Sequence, residues 1–184
     1  MSIRTVSSKV VYENRWLAVR EDRTELPDGS PGLYAVVEKP DFALVIPFED
    51  DGFHLVEQYR YPIGVRSWEF PSGSFPDGVT GTPERMAAAE LAEETGIRAG
   101  RWEKLGFAHC ANGFATIGVH VFLATDLTRG ETAREVTEQD MTQRWFPRAE
   151  LERMVRDGLV TDAPTLTAYL LLTLRERSLR DANG

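Results

Sequence analysis

The chain has 184 residues, 42% hydrophobic and 27% charged, enough apolar material for one sizeable core and too much for wholesale disorder. Its formal net charge of −8, with no Lys/Arg run, argues against a nucleic-acid polymer as partner but not against a small phosphorylated one, because a bound cation inverts the local sign of a site. Cys110 is the single cysteine, so a disulfide-built scaffold and a multi-cysteine zinc site are excluded.

The first dozen residues lack an apolar core of signal-peptide length, and the apolar stretch 166–174 is far too short to span a bilayer. A cytoplasmic protein without membrane contact is therefore expected. Residues 16–26 alternate loosely between apolar and polar, and residues 27–32, Pro-Asp-Gly-Ser-Pro-Gly, supply a turn. Residues 33–37 and 43–48 are short runs of Val, Leu, Ile and aromatics that suit pleated strands. Asp50-Asp51-Gly52 signals a hairpin, with residues 53–59 as the partner strand. The first helix opens at Thr82, a good N-cap. Pro83 follows at the first helical position, Glu84 suits the positive end of the dipole, and Gly96 is a left-handed stop. Strands resume at 102–108 and 118–124. Trp145-Phe146-Pro147 then leads into a helix over 148–156, closed by Gly158. Asp162 caps a last helix in which Leu166, Tyr169, Leu170 and Thr173 recur at helical spacing. Antiparallel strands with a few interposed helices point to an α+β or layered α/β/α domain. The expected division is an antiparallel strand unit over 1–42 and a larger domain over 43–184.

Chemistry concentrates around the first helix. Glu90, Glu93 and Glu94 stand at i, i+3 and i+4, so their carboxylates share one helical face. Ala88, Leu91 and Ala92 occupy the opposite face, which is expected to pack on the sheet. Clustered acids raise one another's pKa, and a divalent cation removes that cost. Hard oxygen ligands on a rigid element suit magnesium, with manganese as an alternative. Glutamate-rich helix faces are also commonly just solvated, and spacing alone favours that plain reading. What shifts the balance is the company: a Gly/Pro-rich loop before the helix, small alanines beneath it, and Thr95-Gly96 directly after the double glutamate.

The run Ala89-Glu90-Leu91-Ala92-Glu93-Glu94-Thr95-Gly96-Ile97 resembles the box of the Nudix hydrolase superfamily. Glu57-Gln58-Tyr59-Arg60-Tyr61-Pro62, Trp68-Glu69-Phe70-Pro71-Ser72-Gly73 and Trp145-Phe146-Pro147 extend the resemblance to the ADP-ribose pyrophosphatase branch. The resemblance implies an α/β/α sandwich with a mixed sheet, preceded by the small antiparallel unit. It implies magnesium-dependent hydrolysis of a phosphoanhydride in a nucleoside diphosphate linked to another moiety, with ADP-ribose giving AMP and ribose 5-phosphate as the leading substrate. It also implies a homodimer, since N-terminal strands of this branch pack across a two-fold axis. By the same resemblance Glu90, Glu93 and Glu94 are the metal ligands, with the Ser72 carbonyl completing the shell, while Arg60 and Glu69 contact substrate. For those last two, a surface ion pair and a pairing within the sheet stand equally open. The general base is expected among Glu135, Glu138 and Asp140, with Glu138 first; a solvated acidic loop is the alternative. His109 beside Cys110 has no third group placed to orient it as a nucleophile.

Two positions depart from the box. Ala89 replaces an arginine that would reach Glu93 one turn on, and such a loss costs roughly 10–100-fold in metal affinity or activity. Gly81 replaces a glutamate that is not a principal ligand, and the loop over 73–81 is about two residues longer than the box allows. These departures leave open a nucleotide-binding sensor with weakened turnover, and a nucleotide-sugar pyrophosphatase remains the nearest enzymatic alternative.

Overall fold

The computed structural model describes residues 2–74, 81–134 and 139–182. Two units separate by their internal contacts, one made of the residues up to Asp41 together with His109–Gly118, the other of Phe42–Ala108 and Val119–Gly184.

The first unit is a three-stranded antiparallel sheet in the order β1 (Arg4–Glu13), β2 (Ala18–Glu25), β3 (Pro31–Glu38). The expected turn joins β2 to β3. Leu26 N–H donates to the Ser30 carbonyl (2.8 Å), and Asp28 Oδ1 accepts from Ser30 N–H (3.0 Å). Strand β1 carries no alternation signal, and the structure explains why. Every one of its residues is exposed, and its pairing with β2 shifts register between Thr5 and Ser7 and again between Val10 and Tyr12. A strand with neither face buried has no reason to write a period of two.

The second unit holds a seven-stranded mixed sheet. Its main path runs β10 (Thr142–Pro147), β5 (Gly52–Arg60), β4 (Phe42–Glu49), β9 (Gly118–Arg129), β8 (Ile97–His109). Two shorter strands complete it, β6 (Val65–Glu69) on β5 and β7 (Ser72–Gly73) on β4. Strands β4 and β9 are parallel, in register from Phe42 opposite Val119 to Pro47 opposite Ala124. They are buried on both faces, so they read as continuous apolar runs. Ala43, Val45, Phe122 and Ala124 face α1 (Pro83–Thr95), packing with Ala87 and Leu91. Leu44, Ile46, Val121 and Leu123 face the other way, onto α2 (Arg148–Arg156) and α3 (Ala163–Ala182) through Leu151, Met154, Ala168 and Leu172. That is the expected α/β/α layering.

The hairpin signal holds: Asp50 and Asp51 both take positive φ (51° and 50°), as a primed two-residue turn requires. Helix α1 begins and ends where its caps were read. Thr82 Oγ1 accepts from Arg85 N–H, and Gly96 at φ 71° donates its N–H to the Ala92 carbonyl. In α3 the buried stripe is Thr165, Ala168 and Leu172, and Leu170 faces out at 56% exposure. No helix among the described residues is long and apolar enough to cross a membrane.

Candidate active site

The segment leaving β6 is laid against the centre of the sheet. Val45 N–H donates to the Pro71 carbonyl (2.9 Å), and Ser72 and Gly73 pair with Leu44 and Ala43. This puts residues 71–73 beside α1, and the helix meets them with its acids. The Ser72 N–H donates to Glu94 Oε2 at 3.1 Å. A Cβ on Gly73 would lie 2.5 Å from Glu90 Oε1, so a glycine is what lets that carboxylate lie against the strand.

The buried face of α1 differs from the expected one. Ala87, Leu91, Glu94 and Thr95 are buried, while Ala88 is exposed and Ala92 only half-buried. Spacings of four and three residues carry the apolar stripe from Ala87 through Leu91 directly onto Glu94, so Glu94 shares the inward face instead of lying opposite it. Its residual exposure is 1%. Burying a carboxylate costs several kcal/mol unless hydrogen bonds or a cation compensate. Glu90 and Glu93 sit half-buried at the margin.

Among the described residues no three His, Cys, Asp or Glu side chains form a ready-made cation cage. Magnesium does not need one, since it takes one or two carboxylates and fills its remaining positions with water and phosphate oxygens. The all-oxygen donor set and the Gly73 cradle for Glu90 fit such an ion.

Arg60 and Glu69, at opposite ends of the β5–β6 ladder, find each other. Arg60 Nε donates to Glu69 Oε1 at 2.9 Å, and its Nη2 donates to Oε2. Glu69 is 3% exposed and the Arg60 side chain 39%, so the carboxylate is anchored and the guanidinium reaches outward. Burial alone would lower the Arg60 pKa; the Glu69 bonds outweigh it, and the charges of Asp162 and Glu94 add to the rise. Arg60 and Glu69 also line a pocket of about 350 Å³ with Ile63, Ser67, Asp162 and Pro164.

Thr161, Asp162, Ala163 and Pro164 at the head of α3 close this pocket, and no sequence spacing places them beside Arg60. Asp162 Oδ2 accepts from Thr165 N–H (2.8 Å), the N-cap read from sequence, and Thr165 Oγ1 accepts from Phe70 N–H (3.0 Å). Burial first, then the charge of Glu69, raises the Asp162 pKa above the usual carboxylate value. Thr165 is 95 residues from its partner, beyond any local pattern.

Of the three candidate bases, Glu135 and Glu138 lie outside the described residues. Asp140 is engaged at the surface, accepting from Arg66 Nη1 at 2.7 Å. His109 and Cys110 are exposed and belong to the other unit.

Comparison with known proteins is consistent with this geometry. Residues 38–169 match the NUDIX domain, and residues 3–37 match the nucleoside diphosphate sugar hydrolase N-terminal domain. The chain is 34% identical to an ADP-ribose pyrophosphatase of Mycobacterium tuberculosis, across 90% of its own length and 81% of that protein's. It is 30% identical to an ADP-ribose pyrophosphatase of Bacillus subtilis, across 94% of each. Among solved structures, an ADP compounds hydrolase superposes with a TM-score of 0.85 over 97% of this chain and 96% of that one, at 19% identity, a likeness of fold.

Proposed function

The chain belongs to the NUDIX domain family, and on that premise we propose that it hydrolyses ADP-ribose to AMP and ribose 5-phosphate. The enzyme class is a Nudix-type pyrophosphohydrolase acting on a nucleoside diphosphate joined to a sugar. The observation that carries the site assignment is Glu94, a carboxylate 1% exposed at the end of an acidic helix and bonded to the backbone of Ser72.

In this reading Glu90, Glu93, Glu94 and the Ser72 carbonyl would hold magnesium, with manganese able to replace it. The ion supplies charge neutralisation at the diphosphate and a more acidic water. Glu93 and Glu94 would act in catalysis through that ion. Arg60, fixed by Glu69, presents its outward guanidinium edge to a phosphate oxygen and fixes the reacting phosphorus in place. Glu138 accepts a proton from the attacking water. One P–O bond forms to water oxygen, the bridging P–O bond breaks, and the bridging oxygen leaves on the second phosphate.

We also read the protein as a homodimer. Ile3, Val6, Val10, Val11 and Tyr12 on or beside β1 are 45–58% exposed, apolar surface that a second copy would cover. The check is a sedimentation mass of twice 20.7 kDa.

The test of function is magnesium-dependent AMP release from ADP-ribose. Wild type should turn over, and Glu94→Gln should lose activity by about 100-fold or more. Equal rates in the two proteins would remove the acidic helix from the mechanism. Tight ADP-ribose binding by calorimetry without products, at several metals and alkaline pH, would favour the sensor alternative that Ala89 and Gly81 leave open.

A further inference from the structure

The carbonyls that end α1 are satisfied from another part of the chain. The last turn of a helix leaves its carbonyls without intrahelical donors, and in α1 that turn carries Glu93 and Glu94. Gly96 N–H serves the Ala92 carbonyl. The next ones are met by the segment 130–134, which follows β9. Ala133 N–H donates to the Glu93 carbonyl (3.0 Å), Arg134 Nε to the Glu94 carbonyl (2.9 Å), and Gly130 N–H to the Gly96 carbonyl (2.7 Å). The approach is close, since a Cβ on Gly96 would lie 2.5 Å from the Gly130 carbonyl oxygen.

Arg134 is the one basic member of this strap. Its Nη1 also donates to the carbonyl of Met141, a residue 2% exposed, so one guanidinium joins the end of α1 to the start of β10. Helix α1 has no basic residue in its last turn, although the negative end of its dipole and two glutamates meet there. It also has Ala89 where the Nudix box carries an arginine.

We propose that Arg134 is a positioning residue for the metal-binding turn, holding Glu93 and Glu94 in place from outside the helix as an arginine at position 89 would hold them from within. The proposal rests on the metal-binding reading of α1 given above. A planar guanidinium spanning two carbonyls fixes the backbone of Glu94 against rotation and leaves both carboxylates to face the ion. It acts through Glu93 and Glu94 and touches neither metal nor substrate.

The experiment is Mn²⁺ binding, followed by electron paramagnetic resonance without substrate, in wild type, Arg134→Met, Arg134→Lys and Glu94→Gln. Arg134→Met keeps the length of the side chain and removes its donors. It should weaken Mn²⁺ binding about 10-fold, with the KM for ADP-ribose at saturating metal unchanged. Arg134→Lys, which retains the charge and can reach only one carbonyl, should fall in between; it serves alone if the methionine variant does not fold. Adding Ala89→Arg to Arg134→Met should restore most of the lost affinity. Wild-type affinity in both Arg134 variants, with binding lost in Glu94→Gln, overturns this inference alone. Folded Arg134→Met that Ala89→Arg fails to rescue also overturns it. Unchanged binding in Glu94→Gln overturns the metal-site reading, and this inference with it.

Discussion

Glu94 and Asp162 are two carboxylates that the fold takes largely out of water, by different means. Glu94 continues the apolar stripe of α1 and receives the Ser72 N–H. Its identity as a special residue was legible, because Glu90, Glu93 and Glu94 recur within one turn. Its direction was not, because an amphipathic reading assigns a glutamate to the wet face by default. Asp162 was legible as a cap and invisible as a neighbour of Arg60, since that proximity arises only when α3 lands on the end of β6. Arg60 and Glu69 fulfil the ion-pair alternative with each other, and they line the pocket as well.

A prediction follows from the raised pKa of Asp162, caused by burial and then by Glu69. A carboxyl whose folded pKa lies above its unfolded value, near 3.9, contributes stability that is fully present below that value. The contribution is lost as pH rises through the folded pKa. Asp162→Asn keeps a comparable cap and removes the charge. Thermal melts should therefore show it more stable than wild type at pH 7, with the gap closing below about pH 4. A difference independent of pH would contradict the assigned cause.

Among the elements, α1 was readable at both ends because its signals are local: Thr82, Pro83 and Glu84 at the start, Gly96 at the stop. The strands that build the site were not. Strand β7 is two residues long and sits in a segment that reads as a Gly/Pro loop, since its pairing comes from β4 and not from its own pattern. Strand β10 ends on Pro147, and the Trp145-Phe146-Pro147 run gave only the helix that follows, although Trp145 and Phe146 pair with His54 and Phe53. Strand β9 runs on past residue 124 into mostly exposed residues, and β8 begins at Ile97, a core residue whose short, largely polar surroundings carry no strand pattern. The strap over 130–134 follows no pattern at all, as its bonds are to helix carbonyls.

The junction of β7 with α1 can be tested by filling it. Gly73→Ala places a methyl 2.5 Å from Glu90 Oε1, so either the strand or the carboxylate must move. The expected result is an increase of roughly 10-fold in the magnesium concentration giving half-maximal rate, with the thermal midpoint little changed. A normal magnesium requirement would show that Glu90 is not held by this strand.

For the molecule as a whole, the layered architecture was legible from strands with a few interposed helices. The parallel pairing of β4 with β9 was not, because an apolar run such as 43–48 or 118–124 shows burial on both faces without showing the direction of its neighbour. What the layers accomplish is to set the head of α3 beside Arg60 and Glu69, and the 71–73 segment against Glu94 of α1, with residues drawn from just over a hundred positions of chain. The net charge of −8 sets the same demand on the whole protein that the acidic turn sets locally: a phosphorylated substrate needs a cation between itself and the carboxylates. We propose that this cation sits on the end of α1. The most direct test is a crystal structure with magnesium and a non-hydrolysable ADP-ribose analogue. An ion is expected about 2.0–2.1 Å from carboxylate oxygens of the Glu90–Glu94 turn, touching the diphosphate on its other side. Those side chains turned away, with the analogue bound and no ion between, would contradict it.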